Sequence, residues 1–267
     1  MITSTTAHKN TKKPKKFLAA SAAAIFWLAA WQLVSMLVGE ALFVTSPLSV
    51  LRTLLMLLGQ REFYATVGFS LLRISLGFMT AAIAGTGLAL AAYKLGFLRV
   101  LFRPLIGAVK AAPVASFAVI ALLAVGSKNL SALIAFLMVL PVFYTNMLTG
   151  LLSVEPERFE AADVFGMVPG DRFRFIYLPY VAPFFTGACQ LGIGVAWKAG
   201  ISAEVIGIAV GSIGEKIYDA KLNLETAELF AYTLVIIALS LFLEKLAELL
   251  IRALEKKLTK SSMPRQT

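Results

Sequence analysis

Apolar residues along this 267-residue chain fall into long unbroken runs, not the alternation of a half-buried strand or the three-to-four spacing of a helix with one wet face. Six runs reach the length of about 20 residues that a helix needs to cross a bilayer. They are roughly Phe17 to Val38, Arg73 to Tyr93, Pro104 to Val125, Leu130 to Leu152, Ile176 to Ile206 and Thr226 to Leu249. The pattern predicts an all-α membrane protein of six transmembrane helices. A basic tail over 1–16 precedes the membrane domain, 17–251, and a second basic tail covers 252–267. The fifth run is overlong, so one of its ends is expected outside the hydrocarbon. After the first run, TSPLSVLRTLLMLLG predicts a short amphipathic helix on the outer surface, capped by Ser46 with Pro47 in its first turn. On the second run Gly77, Ala81 and Gly85 recur every four residues and leave a smooth stripe for close helix packing. The opening KKPKKFLAASAAAIFWLAAW has the basic start of a secretory signal, but its apolar run of about 22 residues exceeds a signal core, so it is expected to stay as the first span.

Polar positions inform where they interrupt this pattern. Seven charged side chains lie between Glu157 and Arg174, between the fourth and fifth runs, and such a segment cannot lie in lipid. Pro156 suits the first turn of a short helix, Glu157 sits favourably near its amino end, and Gly166 can terminate it. A second helical stretch from Asp171 would run on into the fifth span. Ala161 and Ala162 are small enough for close approach, and Phe159 and Phe165 offer apolar contacts. The predicted hairpin, within a loop over 155–176, has the form of a docking element.

Composition then narrows the chemistry. The chain is 59% hydrophobic and 15% charged, with mean hydropathy +0.82, far from the charged fraction of about a quarter usual in soluble domains. Its one cysteine, Cys189, excludes an internal disulfide, and its one histidine, His8, leaves no His/Cys set with metal-ligand spacing. No metal, cofactor or catalytic residue is predicted. A net charge of +10 would suggest nucleic acid in a soluble protein, but in a membrane protein basic residues mark the cytoplasmic ends of spans. With the amino terminus inside, the 25 Lys and Arg residues divide as 17 inside, 6 outside and 2 within spans. Both termini and the charged interruption are therefore predicted to be cytoplasmic.

Lys198 and Glu204 are the expensive residues of the fifth run, because an ionisable group in a membrane span faces an aqueous path or a partner. At the helical rise they lie roughly 28 Å and 37 Å from Pro179, and about 120° apart around the helix, so they do not pair. Lys198 would either present a positive charge to an anionic solute or be a snorkelling or structurally paired lysine, with Trp197 beside it, in the path or in packing, and Glu204 at the outer interface as further candidates for the path. Lys110 in the third run reads as a snorkelling or paired lysine. Pro113 and Pro141 free backbone groups within spans and can bend them.

The charged interruption resembles a known family pattern. Glu160, Ala161, Ala162, three residues, Gly166, nine residues, then Ile176, one residue, Leu178 and Pro179 are similar to the cytoplasmic "EAA" loop of the permease subunits of bacterial ATP-binding-cassette importers. Within these, VTSPLSVLRTL, SLLRISLGF, KAAPVASFAVIALLAVG and GVAWKAGISAEVIG resemble the nitrate/sulfonate/taurine branch over roughly residues 40 to 250. Val44 and Thr45 depart from the Leu-Pro pair common before Ser-Pro. The resemblance implies a type I importer permease fold in the bacterial inner membrane. It also implies a homodimer, two separate ATPase subunits seated on the hairpins, an extracytoplasmic solute-binding protein, and a small solute such as nitrate, a sulfonate or taurine. The chain itself holds no G-x-x-x-x-G-K-[ST] loop, so ATP hydrolysis is expected in the partner and no enzymatic activity in this subunit. The alternative, a stand-alone secondary transporter or channel, calls for inverted-repeat halves, and none is visible.

Overall fold

The computed structural model describes residues 13–39 and 45–262. His8, Val44 and the outer parts of both basic tails lie outside the described residues. The described chain is helical throughout, with no strand: α1 (Lys13–Val38), α2 (Pro47–Leu58), α3 (Arg61–Lys94), α4 (Gly96–Ala111), α5 (Val114–Leu152), α6 (Pro156–Val164), α7 (Pro169–Arg172), α8 (Leu178–Gly207), α9 (Ile213–Leu222) and α10 (Thr226–Ser262). Among the described residues, five segments are long and apolar enough to cross a membrane: Ser21–Val38, Arg61–Lys94, Val114–Leu152, Pro169–Gly207 and Thr226–Leu249.

The third predicted span, Pro104 to Val125, is present as a broken rod. Pro113 has no N–H to donate and forces Ala112 into extended backbone (φ −78°, ψ 138°), which parts α4 from α5. Gly126 then takes φ 70°, ψ 167°, a conformation that side chains oppose, and the chain reverses there inside α5. The contacts run antiparallel on either side of this turn. Ala118 and Ala121 pack with Leu130 and Ile134, Lys110 Nζ reaches Thr145 Oγ1 at 3.5 Å, and Ile106 joins Tyr144 and Met147. Lys110 is thus a lysine held at a helix end beside a hydroxyl.

Helices α3 and α8 both pack along α5, and the small-residue stripe explains how closely. A side chain at Gly77 would strike the Ala132 carbonyl oxygen, and one at Gly85 would come within 2.9 Å of the Leu140 carbonyl oxygen. Ala81 between them is fully buried. On the far side, Gly192 of α8 receives Phe78 and Phe143, and Gly200 receives Ile74. Apolar residues gain nothing from leaving lipid, so this interlocking supplies the packing energy that burial from water supplies in a soluble core.

The remaining helices decorate that core. Ser46 caps α2 by accepting from the Ser49 N–H at 3.2 Å, as the sequence predicts. Val50 and Leu57 of α2 turn in among Tyr232 and Phe230 of α10, while Leu48, Leu51 and Leu55 stay exposed, as befits a helix at a membrane surface. Helix α3 begins twelve residues before its predicted start at Arg73, and Glu62 near its head pairs with Lys216 of α9 at 2.6 Å.

Replacing Gly77 by Val is expected to destabilise the protein by about 1–3 kcal/mol, the range for overpacking against backbone that cannot yield. Gly87→Ala, which meets open space, serves as the control. Thermal unfolding of the two purified variants in detergent should separate them, and equal melting temperatures would refute the packing role.

Candidate functional site

The charged interruption folds as a hairpin of α6 and α7 at the end of the molecule shared by the C-terminus of α5 and the N-terminus of α8. Pro156 opens α6 with acidic Glu157 in its first turn. Helix α6 closes in a Schellman motif: Met167 N–H donates to the Ala162 carbonyl at 2.9 Å and Gly166 N–H to that of Asp163 at 3.1 Å. Gly166 itself has φ +62°, the left-handed backbone its sequence position predicts. The returning arm begins at Pro169, two residues before the predicted Asp171, and passes through a π-helical turn, Phe173–Tyr177, into α8. Arg172 ties the arms together, donating to Asp163 Oδ1 at 2.6 Å and to the Met167 carbonyl at 3.0 Å.

The motif residues divide by burial into two sets. Ala162 and Ile176 are buried with Val154, and Phe159 lies half-buried against the Tyr177 ring, 5.4 Å between centroids. These hold the hairpin together, with Leu178 partly buried and Pro179 exposed in the first turn of α8. Glu160, Ala161, Phe165 and Gly166 are exposed, and Phe165 is joined by Val164 at 81% and 85% exposure. Val168 and Phe173, in the same hairpin segment, are exposed as well. Sequence reasoning overlooked these three.

The path candidates on α8 separate. Trp197 is 1% exposed and its indole N–H donates to the Ile236 carbonyl at 3.0 Å, so its bulk fills the interface between α8 and α10. Glu204 is fully buried, and Ser70 Oγ donates to its Oε2 at 2.7 Å. Neither faces open space in this conformation. Lys198 does: it is exposed on one face of α8 with Leu191, Val195 and Ser202, and its ammonium has no ion-pair partner among the described residues. On those residues no group of three or more His, Cys, Asp or Glu side chains is placed to hold a metal.

A family model described as "binding-protein-dependent transport system inner membrane component" matches residues 81–260. That stretch runs from the middle of α3 through the hairpin to the last turns of α10. The chain belongs to this family. It is a multi-pass membrane permease component of a transport system. Among its relatives are the taurine transport system permease protein TauC of Escherichia coli K12 and the nitrate import permease protein NrtB of Synechococcus elongatus. TauC is 26% identical over 86% of this chain and 84% of its own length, and NrtB 25% identical over 78% of each. In this permease, then, the hairpin is a preformed knob: buried residues set its frame and an apolar crest with Glu160 and Ala161 beside it faces outward.

Gly166→Val tests the frame. The site has open space around it, so the cost comes from backbone alone, about 1–3 kcal/mol for a β-branched residue held at positive φ. Amide hydrogen exchange at Gly166 and Met167, whose N–H groups close the Schellman motif, should speed up by roughly tenfold or more. Unchanged protection there would refute the left-handed turn.

Proposed function

We propose that this permease carries a small anionic solute across the bacterial inner membrane, driven by separate ATPase subunits that seat on the α6–α7 hairpin. The observation that carries the reading is the exposed apolar crest of Val164 and Phe165 on a hairpin whose own core is closed by Ala162 and Ile176. Large apolar side chains fixed in a rigid, water-facing knob suit a protein socket. The hairpin joins α5 to α8, so displacing it displaces both helices, which is how closure of two ATPases would be converted into alternating access. On this reading the hairpin end is cytoplasmic, as are both termini, in keeping with the distribution of basic residues.

A single subunit leaves the Leu191, Val195, Lys198 and Ser202 face of α8 uncovered. A second copy would enclose this face and turn Lys198 toward a shared path. An extracytoplasmic solute-binding protein would deliver solute at the opposite end, in keeping with the family's dependence on one. Relatives named for taurine and nitrate carry solutes with an anionic group, and an unpaired ammonium in the path would attract one.

Ala161→Arg places a long cation on an exposed position of the crest without touching the packed core. It is expected to abolish co-purification with the ATPase subunits, or to lower ATP-driven uptake by about tenfold, equivalent to about 1.4 kcal/mol, while membrane insertion stays normal. Full uptake by this variant would remove the docking role and, with it, the cytoplasmic assignment of the hairpin end.

Lys198→Ala is expected to lower uptake of taurine or nitrate by roughly tenfold, within the range that a focused charge contributes to local anion concentration. Assembly with the ATPase should be unaffected, and Lys198→Arg should keep most of the uptake. Transport kinetics identical to those of the parent protein would leave Lys198 outside the path.

A further inference from the structure

At the end of the membrane domain opposite the hairpin, Glu204 sits at the junction of α3, α5, α8 and α9. Its carboxyl is fully buried, Ser70 Oγ of α3 donates to Oε2 at 2.7 Å, and Gly214 N–H of α9 points to the same oxygen at 3.5 Å. Ile213 N–H in turn donates to Ser70 Oγ at 3.0 Å. The first turn of α9 thereby has two of its otherwise orphan amides taken by groups from two other helices, with Ser212 of its own chain capping Glu215 N–H at 3.1 Å. Ser131 of α5, also fully buried, faces the same carboxyl, and among the described residues neither its hydroxyl nor Glu204 Oε1 makes a hydrogen bond of good geometry.

Two further features show how tightly this junction is determined. A Cβ at Gly214 would collide with the Cβ and backbone of Glu204, so α9 lies directly on the last turns of α8. Between them, Ile208 is held at φ 50°, ψ 56°, a left-handed conformation that a β-branched residue adopts only where its surroundings impose it. The only other side-chain link from α9 to α3 among the hydrogen bonds and ion pairs of the described residues is Lys216 to Glu62, whose carboxylate is 69% exposed and therefore weakly held.

We propose that Glu204 is a positioning residue for transport: its carboxyl fastens α9 to α8 and α3, so that the outer end of the pathway moves as one body with α8. The inference rests on the reading of the chain as an alternating-access permease. Glu204 acts through α9 and does not touch the solute. Its neighbour Ser70 shares the role as the link to α3, and Gly214 permits the contact.

Spin labels on Ala65 of α3 and Lys221 of α9, both exposed, report the fastening in the assembled transporter. The parent protein should give one narrow distance distribution, with and without ATP. Glu204→Ala should broaden it and lower solute taken up per ATP hydrolysed by about tenfold, while basal ATPase activity and co-purification with the ATPase stay within about twofold. Glu204→Gln keeps an acceptor for Ser70 and gains an amide that can donate to Ser131, so it should retain the narrow distribution and most of the uptake. Gly214→Ala leaves the carboxyl in place but pushes α9 off α8, and should resemble Glu204→Ala. A lowered melting temperature in Glu204→Ala with an unchanged distance distribution and normal uptake per ATP would overturn the proposal, as would a Gln variant as impaired as the Ala variant. If the parent protein itself showed no ATP-driven uptake, the transport reading would fail, and the label distances would still report the fastening separately.

Discussion

Lipid offers no reward for bringing two apolar helices together, and this constraint governs the whole molecule. Helices surrounded by hydrocarbon associate only where backbones approach closely enough for dense packing or where polar groups pair. The chain meets the first condition with Gly77 and Gly85 of α3 against Ala132 and Leu140 of α5, and with Gly192 and Gly200 of α8 against Phe143 and Ile74. It meets the second at Trp197, which donates across to α10, and at Glu204, which gathers Ser70 and the head of α9. Three long helices are thereby locked along their length, and the features of interest hang from their two ends.

What the sequence disclosed follows from how local each signal is. The cap at Ser46, the small-residue stripe and the turn at Gly166 each depend on a few neighbouring residues, and each appears where the pattern places it. The hairpin motif was equally legible, because its seven positions fall within twenty residues. The break at Ala112 was harder to foresee, since Pro113 in a hydrophobic run reads equally well as a bend within one span or as the boundary between two helices. Contacts between residues far apart in the chain, such as Lys110 with Thr145 and Ile106 with Tyr144, show that the broken rod still runs beside α5.

Glu204 marks the limit of that legibility. Taken along α8 alone, it is a carboxylate near the outer interface, separated from Lys198 by a third of a turn and available to the path. Around its carboxyl stand Ser70, Ser131 and the Gly214 amide, 134, 73 and 10 positions away, and nothing in the spacing of serines announces such a meeting. Trp197 illustrates the same point with the opposite chemistry: an aromatic beside a membrane lysine invites a role in the path, but the indole N–H needs an acceptor when buried. Helix α10 supplies one at Ile236, and the ring goes with it.

Helices α5 and α8 flank the hairpin on either side and are packed against one another more extensively than any other pair. A force on the hairpin therefore reaches both together, and their shared interface resists sliding because glycines along it receive large side chains: Gly150 meets Phe184, Gly192 meets Phe143 and Gly207 meets Leu130. The motion that alternating access requires must be absorbed where the chain is already interrupted. Candidates on either side are the α4–α5 break at Ala112 and Pro113, the reversal at Gly126, and the left-handed turn at Ile208. The first two bound the arm over 114–125 that folds back on the rest of α5, and the third lies between α8 and α9. Of these, only the Ile208 turn is bridged by a polar tie, since Glu204 before it reaches Gly214 after it. In the proposed cycle the unbridged Gly126 and Ala112–Pro113 joints are the ones free to flex, and the helix α9 beyond Ile208 is carried along by α8.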